Sequence, residues 1–144
     1  MKARIALFIV FGALSLHAYE LDQLEAIFNT NRITEIPQIA LNLSAKGSIM
    51  QSKGLYKEAL ELYEQSLHLR EKLGLNKTQG YATVLFLSSI AEHKTGDSCK
   101  ALNRIGQVIE IYNYLGKKEE ARTAEEEGMK IYQKSCNSKL VSQN

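Results

Sequence analysis

Apolar positions between residues 35 and 135 recur at helical spacing, with no strand-like alternation competing. Tyr56, Ala59, Leu60, Tyr63 and Leu67 follow the i, i+3, i+4, i+7 rhythm that gathers side chains on one face of a helix. Four glycines interrupt the pattern. Gly54 and Gly96 close one set of segments and Gly74 and Gly116 another, because glycine enters the left-handed conformation that ends helices. The spacing therefore predicts helices over 20–30, 35–53, 56–73, 78–95, 98–115 and 118–135, followed by a flexible polar tail at 137–144. Thr34, Asn76 or Thr78, and Asp97 are placed to cap helix starts. Pro37, the only proline, falls in an early turn where a missing amide donor costs little.

The segments repeat. An offset of 42 residues carries Ala40 onto Ala82, Leu43 onto Leu85, Gly54 onto Gly96, and Ala59 and Leu60 onto Ala101 and Leu102. The same offset carries Leu67 onto Ile109, Leu69 onto Ile111, Leu73 onto Leu115 and Gly74 onto Gly116. Small residues recur where small ones stood, and large apolar ones where large ones stood. A period of this length is the mark of a stacked-repeat architecture, here with one helical hairpin in each copy.

Gly54, Tyr56 and Ala59, with Gly47 one helix earlier and Tyr63 one turn later, resemble the core pattern of the tetratricopeptide repeats. The 42-residue period is similar to the longer variety seen in kinesin light chains. The resemblance covers about 35–135 and implies an all-α fold, a short right-handed α-solenoid of antiparallel hairpins with capping helices at both ends. Repeats at about 35–76 and 77–118 and a cap helix at 118–135 would make up a domain spanning 19–136. The second copy departs from the pattern at Ser89, Glu92 and Ser98, and the third keeps only Ala124 of the small positions. The segment from Lys117 to Ser135 is much more charged than its equivalents, as suits a cap with no repeat beyond it. Arg122, Glu126 and Lys130 stand there at i, i+4 spacing. At the other end Leu21, Leu24, Ile27 and Phe28 form an apolar stripe suited to covering the first repeat.

The first 18 residues change the picture of charge and compartment. Lys2 and Arg4 precede an apolar run from Ile5 to Leu16, and Ala18 is a small residue suited to cleavage, the layout of a secretory signal peptide. The run is shorter than the roughly 20 residues a spanning helix needs, so no stable membrane anchor is expected after cleavage. The expected destination is the bacterial periplasm, or otherwise secretion. Lys2 and Arg4 leave with the leader, so 18 basic residues become 16 against 16 acidic ones. Without a basic excess, nucleic acid is not an expected partner.

Cys99 and Cys136 are the only cysteines. If the chain reverses between Leu115 and Lys118, each lies about 17 residues from the turn, roughly 25 Å along its helix, at the same open end of a hairpin. A disulfide clamping the cap to the last full repeat is expected in an oxidising compartment. A thiol–disulfide enzyme is the alternative from another class, although the chain has no Cys-x-x-Cys.

Other chemistry is sparse. His68 and His93 have no second histidine or cysteine at metal-ligand spacing, Glu64 and Glu71 flank His68 without forming a rigid pair, and no phosphate loop or nucleophile elbow occurs. No enzyme activity, metal or cofactor is expected. In the family it resembles, the first helix of each hairpin lines a concave groove that receives a peptide or partner helix. By position this implies Ser44, Ser48 and Gln51 from the first copy, Thr83, Phe86, Ile90, His93 and Lys94 from the second, and Tyr132 from the cap. Phe86 and Ile90 fit core packing between repeats equally well. The expected role is a protein-binding adaptor or assembly factor for an envelope complex, with self-association through the cap faces as an alternative.

Overall fold

A computed structural model describes residues 36–141, and those from Pro37 onward belong to one compact unit. Helix α1 covers 36–52, α2 Tyr56–Lys72, α3 Gln79–Lys94, α4 Ser98–Tyr114, α5 Lys118–Ala124 and α6 Lys130–Val141, with a π-helical segment, Glu125–Met129, joining the last two. The leader, the helix expected at 20–30 and the Thr34 cap lie outside the described residues. Among those that are described, there is no strand and no helix long and apolar enough to cross a membrane.

The four glycine turns share one geometry. Gly54, Gly74, Gly96 and Gly116 have φ of 77°, 69°, 91° and 72°. In the first turn Leu55 N–H donates to the Met50 carbonyl at 3.0 Å and Gly54 N–H to Gln51 at 2.9 Å. The later turns repeat this pair, with Leu75 bonding to Arg70, Asp97 to Glu92 and Lys117 to Tyr112. Each satisfies carbonyls that a helix end leaves open, and each needs a residue that tolerates positive φ. Of the expected caps, Thr78 Oγ1 accepts from Tyr81 N–H and the Asp97 side chain from Lys100 N–H, both at 3.3 Å.

Alternating large and small residues set the helix packing. Tyr63 of α2 lies against Gly47 of α1, where an added Cβ would stand 2.6 Å from the ring. In the next layer Ile105 of α4 lies against Gly128 in the π-helical segment, where a Cβ would come within 2.8 Å of its side chain. Gly128 is thus a further buried small position in the third copy, beside Ala121 and Ala124, where only Ala124 was expected. Around these contacts Ala59, Leu67, Tyr81, Ala82, Leu85, Ala101, Val108 and Ala121 make one continuous core.

One buried position is charged. Glu92, 42 residues after Met50, is 1 % exposed. Arg104 Nε donates to both its carboxylate oxygens at 3.0 and 3.1 Å, and Lys100 Nζ lies 3.2 Å away. Arg104 also bonds Glu64, so the network ties α2, α3 and α4 together. Burial works against the Arg104 charge, but hydrogen bonding to Glu92 and the nearby Glu92 and Glu64 charges outweigh it and raise its pKa.

The last helix differs from expectation in length. It does not stop near 135 but continues to Val141, so the residues from Asn137 to Val141 are helical and not a loose tail. Ser135 and Ser138 fold their hydroxyls onto carbonyls one turn back, and Lys139 Nζ donates to the Gly96 carbonyl at 3.1 Å. Cys136 is joined to Cys99 with Cα atoms 4.8 Å apart, which pins this helix to α4 at the open end of their hairpin. On the outer face Arg122 pairs with Glu119 at 2.6 Å and reaches Glu126 at 4.0 Å.

Two stability effects are expected. Closing a loop across 37 residues contributes ~4 kcal/mol in the chain-entropy model. Replacing both cysteines by alanine should therefore lower unfolding free energy by about 2–4 kcal/mol in a guanidinium titration, and an unchanged midpoint would refute the clamp. Glu92→Ala should cost about 3 kcal/mol by leaving Arg104 without its buried partner, whereas Glu92→Met combined with Arg104→Met should recover most of that loss. Equal losses in the single and double variants would show that the ion network does not couple the helices.

Candidate partner-binding groove

Helices α1 and α3 lie side by side with an apolar trough between them. Leu41, Ser44, Ala45 and Ser48 line one wall and Gly80, Thr83, Val84 and Leu87 the other, with Arg70 of α2 at one end, around a volume of about 270 Å³. The lining residues span eight positions on each helix, so the trough runs about 10 Å along their axes. A second cleft of about 230 Å³ is lined by Phe86 of α3, Tyr112 of α4 and Glu119, Glu120, Thr123 and Ala124 of α5. Lys117 Nζ lies 3.0 Å from Glu120, holding that carboxyl below its ordinary pKa through the hydrogen bond.

The structure sorts the nine residues expected in the groove. Ser44, Ser48 and Thr83 meet in the trough, and Phe86 reaches the second cleft while packing against the core. Ile90 is half-buried on the same helix and Lys94 is exposed in its last turn.

Gln51 and His93, equivalent at the 42-residue offset, both turn toward their own hairpins. Gln51 Oε1 accepts from the Tyr63 hydroxyl at 3.0 Å, and His93 Nδ1 lies 2.9 Å from Ser98 Oγ. Burial raises the Tyr63 pKa, with a hydrogen bond to Ser48 acting in the opposite direction.

Tyr132 is the clearest correction. It is 4 % exposed and belongs to the core, with its ring 4.9 Å from that of His93. Burial raises its pKa, partly offset by a hydrogen bond to Ser89. The cause is the π-helical segment. Counting 42 from Ile90 gives Tyr132, but the extra residue in a π turn advances the register by one, so Tyr132 takes the place of buried Ser89. Two hairpins earlier in this register stands Gly47, which receives Tyr63. At the cap a tyrosine fills that slot.

Leu41, Ala45, Arg70, Gly80, Val84 and Leu87 complete the trough and were not among the expected residues. Leu41 and Ala45 lie one turn from Ser44 and Ser48 on the same face, so helical periodicity alone points to them. Arg70 carries no such signal, because it reaches the trough from the neighbouring helix.

On another face, α2 and α4 border a polar cleft of about 320 Å³, with Glu64, His68 and Glu71 from α2 and Lys100, Asn103, Arg104 and Gln107 from α4, over Tyr81 and Leu85. The Tyr81 hydroxyl donates to Glu71 at 2.5 Å, and burial followed by the Glu71 carboxylate raises its pKa strongly. Glu64 is engaged by Arg104. The ionic groups here mainly hold one another, and among the described residues no three His, Cys, Asp or Glu side chains are grouped to hold a metal.

Comparison with protein families matches residues 38–113, more than half of the chain, to the tetratricopeptide repeat. Neither the curated proteins nor the solved structures contain a match. The matched segment runs from the start of α1 almost to the end of α4, the two hairpins whose glycine turns and small-to-large contacts are described above. The chain belongs to the tetratricopeptide repeat family.

Proposed function

We propose that this protein is an exported interaction module, an adaptor or assembly factor for an envelope complex, that receives a segment of another protein along α1, α3 and α5. The observation that carries this reading is the apolar trough between α1 and α3, where Leu41 is 52 % exposed beside the small residues Ala45 and Ser48. Small residues leave the backbone accessible while the aliphatic ones offer area to bury, at roughly 25 cal/mol per Å² before the costs of association. A two-hairpin groove is short, so affinity depends on a few well-seated side chains. The signal-peptide layout of residues 1–18 supports export, and the Cys99–Cys136 clamp suits an oxidising compartment. In this reading the chain works by binding, without catalysis or cofactor.

Self-association is a second reading, favoured by Ile131, Leu140 and Val141 standing 49, 54 and 79 % exposed on α6. Light scattering separates the two, since a monomer at tens of micromolar leaves that face without a second copy.

Envelope fractions of the source cell should yield a protein that co-purifies with the tagged full-length chain and is lost when Leu41→Asp and Thr83→Arg are combined, both being exposed positions in the trough. Co-purification of the same proteins with a folded double variant would place binding elsewhere. Intact mass of the exported chain should correspond to loss of residues 1–18, and retention of the leader would overturn the export part of the proposal.

A further inference from the structure

Three arginines lie among the described residues, and two of them hold carboxylates. Arg104 pairs with Glu92 and Glu64, and Arg122 with Glu119. Arg70 is half-buried and makes no ion pair among the described residues. Its side chain is nevertheless held in place. Nε donates to Ser66 Oγ at 3.3 Å, and the fully buried Ser66 hydroxyl in turn donates to the Ala40 carbonyl at 2.6 Å. Gly80 leaves room for the guanidinium, since a Cβ there would stand 3.0 Å from Nη1. Burial without a compensating anion lowers the Arg70 pKa, a cost that an incoming carboxylate would remove.

The cation therefore sits oriented, and without a counter-ion among the described residues, at one end of a largely apolar trough. Resting on the docking role given above, we propose that the trough between α1 and α3 selects a protein segment in which an aspartate or glutamate side chain adjoins an aliphatic or aromatic residue. The apolar side chain packs over Leu41, Ala45, Val84 and Leu87, while the carboxylate takes the guanidinium edge that Ser66 leaves free. A single arginine with no lysine among the lining residues matches the single charge of a carboxylate better than a doubly charged phosphate. Running alongside two helices, the trough suits a segment passing through it, so the source of the charge is a side chain and not a chain terminus.

The test is selection from a display library of random twelve-residue peptides on the immobilised full-length chain, followed by titration of synthetic, C-terminally amidated winners. Peptides with an acid beside a large apolar residue should be enriched, and Arg70→Gln should weaken them by about tenfold or more. Arg70→Glu should move the preference to lysine or arginine at the same peptide position, a readout that a merely structural role would not produce. Gly80→Ala keeps the charge but crowds Nη1 and should give a smaller loss, which preserves the test if the Arg70 variants fold poorly. Peptides lost with Leu41→Asp but indifferent to acid and to Arg70→Gln would overturn this inference and leave the docking role standing. Binding that requires a free peptide C-terminus would also overturn it. Failure to enrich any peptide that depends on the trough would overturn both.

Discussion

A large side chain pressed against a position that has none is the contact on which this structure rests. Tyr63 against Gly47 joins the two helices of the first hairpin, and Ile105 against Gly128 joins α4 to the cap. With a Cβ at either glycine the helices would have to separate, and in a close-packed interior that loss spreads to every neighbour. The intervening layer uses smaller steps, with Ala82 and Ala101 both fully buried between α3 and α4. Close approach inside the hairpins also shapes the outside. Between α1 and α3 the small side chains of Ala45, Ser48 and Thr83 line the trough and leave its space open.

A buried carboxylate in the second copy occupies the place where the first has Met50. Glu92 brings a desolvation cost that an apolar residue would avoid, and Arg104 with Lys100 offsets it. The gain is directional. Methionine packs acceptably in several arrangements, whereas Glu92 requires Arg104 of α4 within hydrogen-bond reach, and Arg104 also reaches back to Glu64 of α2. The network thus sets the register of one hairpin on the next. This accounts for a departure from the repeat pattern that apolar periodicity alone leaves unexplained.

The legible parts of the sequence were those whose cause is local. Positive φ at Gly54, Gly74, Gly96 and Gly116 is a requirement of the individual residue, so turn positions and the 42-residue period could be read directly, and equal arm lengths around the last turn then brought Cys99 to Cys136. The groove was less legible because its residues were assigned by register. Ser44, Ser48 and Thr83 line the trough, whereas Gln51 and His93 have partners inside their own hairpins, which depends on the hydroxyls of Tyr63 and Ser98 across the turn. Arg70 was invisible for a related reason, since its direction is set by Ser66 and by the missing side chain at Gly80.

Tyr132 shows how a single backbone irregularity can carry a residue from a surface into a core. Before the π-helical segment the offset of 42 holds, with Ala124 buried like Ala82. From Gly128, inside that segment, onward the buried residues are Gly128, Tyr132 and Cys136, and an offset of 43 relates the first two to buried Leu85 and Ser89. One added residue rotates all that follows by about 100° around the helix. That rotation turns Tyr132 inward, onto His93, and brings Cys136 to the face that meets α4, where it reaches Cys99. With the regular register, position 136 would correspond to exposed Lys94 and would point away from its partner. The π turn and the disulfide therefore depend on one another: the irregular turn aims the cysteine, and the covalent bond secures the helix beyond the irregularity against α4.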